Sequence, residues 1–146
     1  QDLLREHKIQ KTYAAIVKGQ ISLDRQMIDA PLLRYELANG ERRVRVTSEG
    51  KPSKTDLKVV ERFKTATLVH ASPLSGRTHQ IRVHGLSIGH PLVGDDKYGH
   101  NTAYKGPEAR RLCLHAMRLE IPNYPVIEAP MPEDMQQVIN ELRKQK

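Results

Sequence analysis

Tryptophan is absent from the 146 residues, and phenylalanine and cysteine each occur once. A core built with so few large aromatics has to be aliphatic. A lone thiol cannot close an internal disulfide, so folding does not require an oxidising compartment. Cys113, set between leucines in Arg111-Leu112-Cys113-Leu114-His115, reads as a small core residue and not as a nucleophile. No apolar run approaches the ~20 residues of a membrane-spanning helix, and no signal sequence shows at the N-terminus. A soluble, cytoplasmic protein with no membrane partner is expected. Acidic residues are in short supply: 17 Asp+Glu against 24 Lys+Arg give 24 − 17 = +7. That balance points to a polyanion, with nucleic acid ahead of an anionic membrane.

Several chemistries are missing as well. Neither Gly-x-Gly-x-x-Gly nor Gly-Lys-Ser/Thr occurs, which removes ATP and dinucleotide cofactors. Seven histidines suggest a metal, but His79 and His84 lie about 140° apart on a helix and lack cysteine or glutamate partners at ligand spacing. Ser72, Ser75 and Ser87 have no nucleophile-elbow context. No cofactor and no metal are expected. A cationic, hydrogen-bonding site suited to holding RNA is left.

The stretch that fits such a site is Gly76-Arg77-Thr78-His79-Gln80-Ile81-Arg82-Val83-His84, far too polar for a core element. It follows an extended run, Ala66 to Ser72, and a Pro73-Leu74-Ser75-Gly76 turn, so a strand, a sharp turn and a helix capped by Thr78 are expected. At 100° per residue Thr78, His79, Arg82 and Leu86 fall on one side, and Ile81, His84 and Ile88 on the other. Arg82 then leaves the polar side of a half-buried helix. Arg77, Thr78, His79 and Gln80 become candidate RNA contacts, because backbone N–H groups and cations converge at the helix start.

The remainder of the chain supplies a frame of one domain, residues 1–146. Residues 1–8 read as the last turns of a helix, with Leu3, Leu4 and Ile9 facing a core; they begin without methionine or cap, so preceding chain is expected. Lys11 to Gly19 is β-prone, with Tyr13 at its mouth; a tyrosine there is more often half-core, half-surface packing than a ligand contact. Gln26 to Leu33 reads as a short strand, and Asn39-Gly40 as a hairpin turn. In Arg42-Arg43-Val44-Arg45-Val46, Arg43 and Arg45 alternate with valines; a solvated outer face and a phosphate-contacting ribbon both fit. Thr55 to Phe63 and Thr65 to Ser72 pair antiparallel. His90 to Gly99 is a glycine-bracketed loop whose acids and Tyr98 fold back on the Arg82 helix, or else form a plain connector. Asn101 to Arg110 is the stretch with most disorder-promoting composition. Arg111 to Ile121 reads as a central strand, Val126 to Ala129 as its partner, and Pro132-Glu133-Asp134 opens a last helix. The class is α+β: a mainly antiparallel mixed sheet flanked by helices.

The nine-residue motif, Gly89-His90-Pro91, Gly94-Asp95 with Tyr98-Gly99, and Leu112-Cys113-Leu114-His115-Ala116 together resemble the C-terminal part of the RluA-type pseudouridine synthase catalytic domain. Lys11-Thr12-Tyr13 is similar to that family's tyrosine motif, and Gly50-Lys51-Pro52-Ser53-Lys54-Thr55 to its mid-domain turn. The resemblance implies an isomerase that converts uridine in RNA to pseudouridine without a cofactor, an aspartate attacking a flipped-out nucleotide. It also implies that Arg82 pairs with that aspartate, that Tyr13 stacks on the base and helps remove its proton, and that Ile81 and Leu114 are pocket walls. The family's His-Arg-Leu-Asp-x-x-Thr-Ser-Gly string is absent, so its nucleophile is expected upstream of Gln1, and these 146 residues alone are expected to be inactive. Likeness to the RluC/RluD branch favours large-subunit ribosomal RNA over transfer RNA as the partner, and a monomer is expected. A non-catalytic RNA-binding module is the alternative.

Overall fold

Ala14, Ala15, Ile16 and Val17 are each 2% exposed or less. Successive side chains of a strand point to opposite sides, so β1 (Gln10–Lys18) has to be covered on both faces. The computed structural model, which describes residues 8–99 and 103–145, does this with a six-stranded sheet of order β2-β5-β6-β1-β7-β8 between two helices. Its other strands are β2 (Arg25–Asp29), β5 (Lys54–Arg62), β6 (Ala66–Pro73), β7 (Leu114–Glu120) and β8 (Ile127–Glu128). Every pairing among them is antiparallel, and the α+β class holds.

Alternation along β1 sorts the core into two layers. Ala14 and Ile16 join Phe63, Leu68 and Val93 beneath Met135, Val138, Ile139 and Leu142 of the C-terminal helix, whose apolar residues recur at i, i+3, i+4 and i+7. Ala15 and Val17 join Leu57, Val69, Ala71 and Leu92 beneath Ile81 of the first described helix. These helices are α1 (Gln80–Ser87) and α2 (Glu133–Lys144). Acids in the first turn of α2 and bases in its last turn complement the helix dipole.

A second sheet pairs β3 (Leu32–Glu36) with β4 (Arg42–Val46). The expected strand over 26–33 is therefore two strands in two sheets. Pro31 has no N–H for a ladder, and the chain crosses at that point. The Asn39-Gly40 turn forms as expected, with Gly40 at φ +87°.

Two further expectations need correction. The strand after Arg111 is not central: β7 is next to the edge and half-exposed, and β6 with β1 forms the middle. The segment around Arg110 is anchored where it is described, because Tyr104 packs on the core and its hydroxyl donates to Pro107 O at 2.8 Å. Leu3 and Leu4 of the expected N-terminal helix lie outside the described residues, and Ile9 is half-buried. No helix among the described residues is long and apolar enough to cross a membrane.

The glycine-bracketed loop is no plain connector. Val93 N–H donates to Ile16 O, and Cys113 N–H to Val93 O, so the loop threads between β1 and the start of β7. Gly94 sits at φ +83°, and a Cβ there would meet Arg111 O at 2.2 Å; only glycine fits.

Candidate active site

The polar motif is organised by a chain of buried hydrogen bonds. Gln80 (4% exposed) and His84 (fully buried) point inward from α1. The Gln80 amide donates to Lys54 O (2.8 Å) and Thr55 Oγ1 (3.0 Å). Its oxygen accepts from Ser75 Oγ (2.6 Å) and Arg77 N–H (3.3 Å). His84 Nε2–H donates to Ala30 O at 2.9 Å, so Nδ1 accepts from the Thr55 hydroxyl at 2.8 Å. Burial pushes the His84 imidazole below its ordinary value, against the opposing bond to Ala30. That direction favours the neutral imidazole, which is the form this ordering of protons requires. Thr55 belongs to the mid-domain turn, which is the physical reason that turn and the nine-residue motif go together.

The expected Thr78 cap is not formed. Helix α1 begins at Gln80, and its N-cap is His79 in the left-handed conformation, φ 52°. A non-glycine residue there carries of order 1–2 kcal/mol of strain, and Tyr98 holds it. His79 Nδ1 lies 2.8 Å from Tyr98 Oη, with the rings edge to face at 5.5 Å. Thr78 is left exposed. The Tyr98 hydroxyl also accepts Val44 N–H at 3.0 Å, which ties the β3–β4 ribbon to the site.

Arg82 leaves the opposite side of α1 from His84, as its spacing predicts, and meets the loop. Its Nε and Nη2 donate to Asp95 Oδ2 (2.9 Å) and Oδ1 (2.7 Å), with the Tyr98 ring 5.2 Å from the guanidinium carbon. Asp95 also accepts N–H from Lys97 and Tyr98 at 3.0 Å each. Burial opposes its ionisation, but the Arg82 hydrogen bonds and these amides outweigh burial and hold the carboxyl below the usual aspartate range. The Asp95 side chain is 0% exposed and that of Arg82 15%. The carboxylate is therefore a brace, out of reach of any ligand, and Arg82 has a counter-ion within this chain. The brace engages Nε and Nη2, and Arg82 is also among the residues that line the pocket.

That pocket, about 350 Å³, is lined by Tyr13, Ile81, Arg82, Leu112, Leu114, His79 and the turn from Pro73 to Gln80 except Leu74 and Thr78. The volume is in the ~300–1,000 Å³ range of small-ligand sites. Tyr13 comes from β1, Leu114 from β7 and Arg82 from α1, so residues as much as 101 positions apart meet at one end of the sheet. Tyr13, Arg77, His79, Gln80, Ile81, Arg82 and Leu114, all singled out from the sequence, line it together. Arg43 and Arg45 do not: Arg43 donates to Lys97 O (3.2 Å) and pairs with Glu41, and Arg45 lies over the Tyr35 ring at 5.5 Å. Sequence reasoning missed Lys11 and Leu112 as lining residues and Asp95 as the brace. The i, i+2 relation of Lys11 to Tyr13 on a strand was the available signal. Cys113 is buried, its thiol pushed up to about 11 by burial, as its leucine neighbours suggested.

Comparison with known proteins decides the family. A model of the RNA pseudouridylate synthase family matches residues 1–87. The chain belongs to that family. Relatives include the ribosomal large subunit pseudouridine synthase C of Yersinia pestis, 48% identical over 97% of this chain and 47% of its own length. That of Escherichia coli strain K12 is 45% identical over 96% and 47%. The chain thus spans about half the length of the curated relatives it matches. Human RNA pseudouridylate synthase domain containing 1 superposes with TM-score 0.73 at 30% identity, over 99% of this chain and 69% of that one. Domain containing 4 gives 0.77 at 22%, covering 97% and 65%, a likeness of fold.

Proposed function

We propose that this chain is the part of an RNA pseudouridine synthase that holds the target nucleotide, in a cytoplasmic, monomeric enzyme acting on large-subunit ribosomal RNA. The reaction breaks the bond between N1 of uracil and C1′ of ribose, forms one between C5 and C1′, removes the C5 proton and protonates N1. No cofactor is consumed, because the product is an isomer. The observation that carries the reading is one pocket with an aromatic face (Tyr13), aliphatic walls (Ile81, Leu114) and a fixed cation (Arg82). A flipped-out uracil needs a stacking surface and apolar enclosure. An ionised nucleophile needs a cation that stays put.

In this reading Tyr13 stacks on the base and helps take its proton. Arg82, braced by Asp95, offers its guanidinium to the aspartate nucleophile, which lies outside these 146 residues. Gln80 positions the turn through its buried amide, while Arg77, Thr78 and His79 contact RNA at the pocket rim. Arg43 and Arg45 contact RNA along the ribbon. Incubating the full-length protein with large-subunit ribosomal RNA and with transfer RNA, and mapping pseudouridine in each, tests this. Product in the ribosomal RNA alone is expected. Binding without product in either RNA would make the protein a non-catalytic RNA-binding module.

A further inference from the structure

We infer that Lys11 is a phosphate-binding residue that anchors the RNA backbone next to the nucleotide in the pocket, an inference that rests on the reading above. Strands β1 and β7 pair with one irregularity in register. Pairing passes from Thr12↔Arg118 to Tyr13↔Ala116, so the extra residue, Met117, belongs to β7 and alternation along β1 is unbroken. Lys11 therefore shares the sheet face of Tyr13, Ala15 and Val17, the face covered by α1. It lines the pocket with Tyr13 and is only partly exposed.

Charge then separates the three cations that line this pocket. Arg82 is neutralised by Asp95 through two hydrogen bonds. The Arg77 guanidinium donates to a carbonyl, Pro52 O at 3.3 Å, and pairs with no acid among the described residues. Lys11 makes no ion pair among the described residues, and Asp56, the carboxylate lining the adjoining groove with it, is held by Arg25 at 2.6 Å. Among the described residues no acid lines the pocket itself. The net positive potential of the site thus belongs to Lys11 and Arg77, and Arg82 is left free to act on the chemistry. A recessed ammonium on a flexible stem beside a base-stacking tyrosine suits a phosphodiester, which it meets as a point charge.

The test uses the full-length protein and its Lys11→Met and Lys11→Arg variants, with RNA affinity read by fluorescence anisotropy across a salt series and turnover read separately. Each phosphate contact to single-stranded RNA adds about −0.7 to the slope of log K against log salt. Lys11→Met should lose one such contact, so its deficit relative to wild type should shrink about fivefold per tenfold rise in salt. KM should rise with kcat unchanged, and Lys11→Arg should restore both slope and KM. An unchanged slope, or a lowered kcat with KM and slope intact, overturns the inference. A wild-type protein that binds RNA with the expected slope change yet makes no pseudouridine would overturn the synthase reading and leave this one standing.

Discussion

The two faces of the sheet are held by different means. Under α2 the contacts are apolar, and the charged residues that fasten the helix, Arg111 with Asp134 and Arg143 with Glu61, stay at the surface. Under α1 the chain buries a glutamine, a histidine and a threonine in one hydrogen-bonded row and sets a nearly buried ion pair beside them. Apolar packing tolerates exchange among side chains of similar volume. A polar row demands that every donor keep its acceptor. The α2 face therefore supplies stability, while the α1 face spends polar groups on placing Arg82 and the turn before it.

Substitutions on the two faces should separate these roles in the full-length protein. Among substitutions that leave Arg82 in place, Asp95→Asn should have the largest effect. It removes one charge of a buried pair, roughly 3–5 kcal/mol in unfolding, and turnover should fall at least about 100-fold, since misplaced groups cost that much. Ile139→Ala should destabilise by roughly 2–5 kcal/mol through its cavity, with turnover per folded molecule unchanged; a matching loss of turnover would erase the distinction between the faces. Thr55→Val strips partners from His84 and Gln80 and should cost about 1–3 kcal/mol, with a further loss of RNA affinity because the turn bearing Arg77 loosens.

A pH titration of stability should also register the α1 face. Burial lowers His84, and burial followed by Arg82 and Lys97 lowers His79. The unfolded chain then binds protons first as pH falls, so stability should decline below the ordinary histidine value of about 6.5. Asp95, held low, contributes above the ordinary aspartate value of about 3.9 and loses its contribution as pH drops through its folded value. A flat profile between pH 8 and 5 would contradict the lowering of His84 and His79. Arg143→Ala, at the surface of α2, should leave the unfolding midpoint unmoved.

How legible these features were in the sequence follows from their range. Local signals worked: Asn39-Gly40 formed its hairpin, Pro132-Glu133-Asp134 its helix start, and the β-prone run from Lys11 to Gly19 a strand. The pocket membership of Tyr13, Ile81, Arg82 and Leu114 was readable through family resemblance, not spacing. Thr78 was misjudged because a good capping residue was outcompeted by Tyr98, which holds His79 left-handed from 19 residues away. Gln80 looked like an RNA contact because polarity alone cannot reveal that Lys54, Thr55 and Ser75 enclose it. The loop's acids and Tyr98 are near enough in sequence to fold back on the helix, but the role of Asp95 as the bidentate counter-ion of Arg82 depends on a turn, Asp95 to Tyr98, whose amides grip the carboxylate.

In the proposed enzyme Arg82, braced from behind by Asp95, serves the chemistry of the pocket and not its grip on RNA. Single-turnover isomerisation of saturating RNA by full-length Arg82→Ala, with its fold checked by circular dichroism, tests this most directly. Loss of at least about 1,000-fold in rate with RNA affinity within about threefold of wild type is the expected result, as for removal of an interaction made mainly in the transition state. A folded variant that forms pseudouridine at close to the wild-type rate, or one whose whole defect is weakened RNA binding, would contradict it.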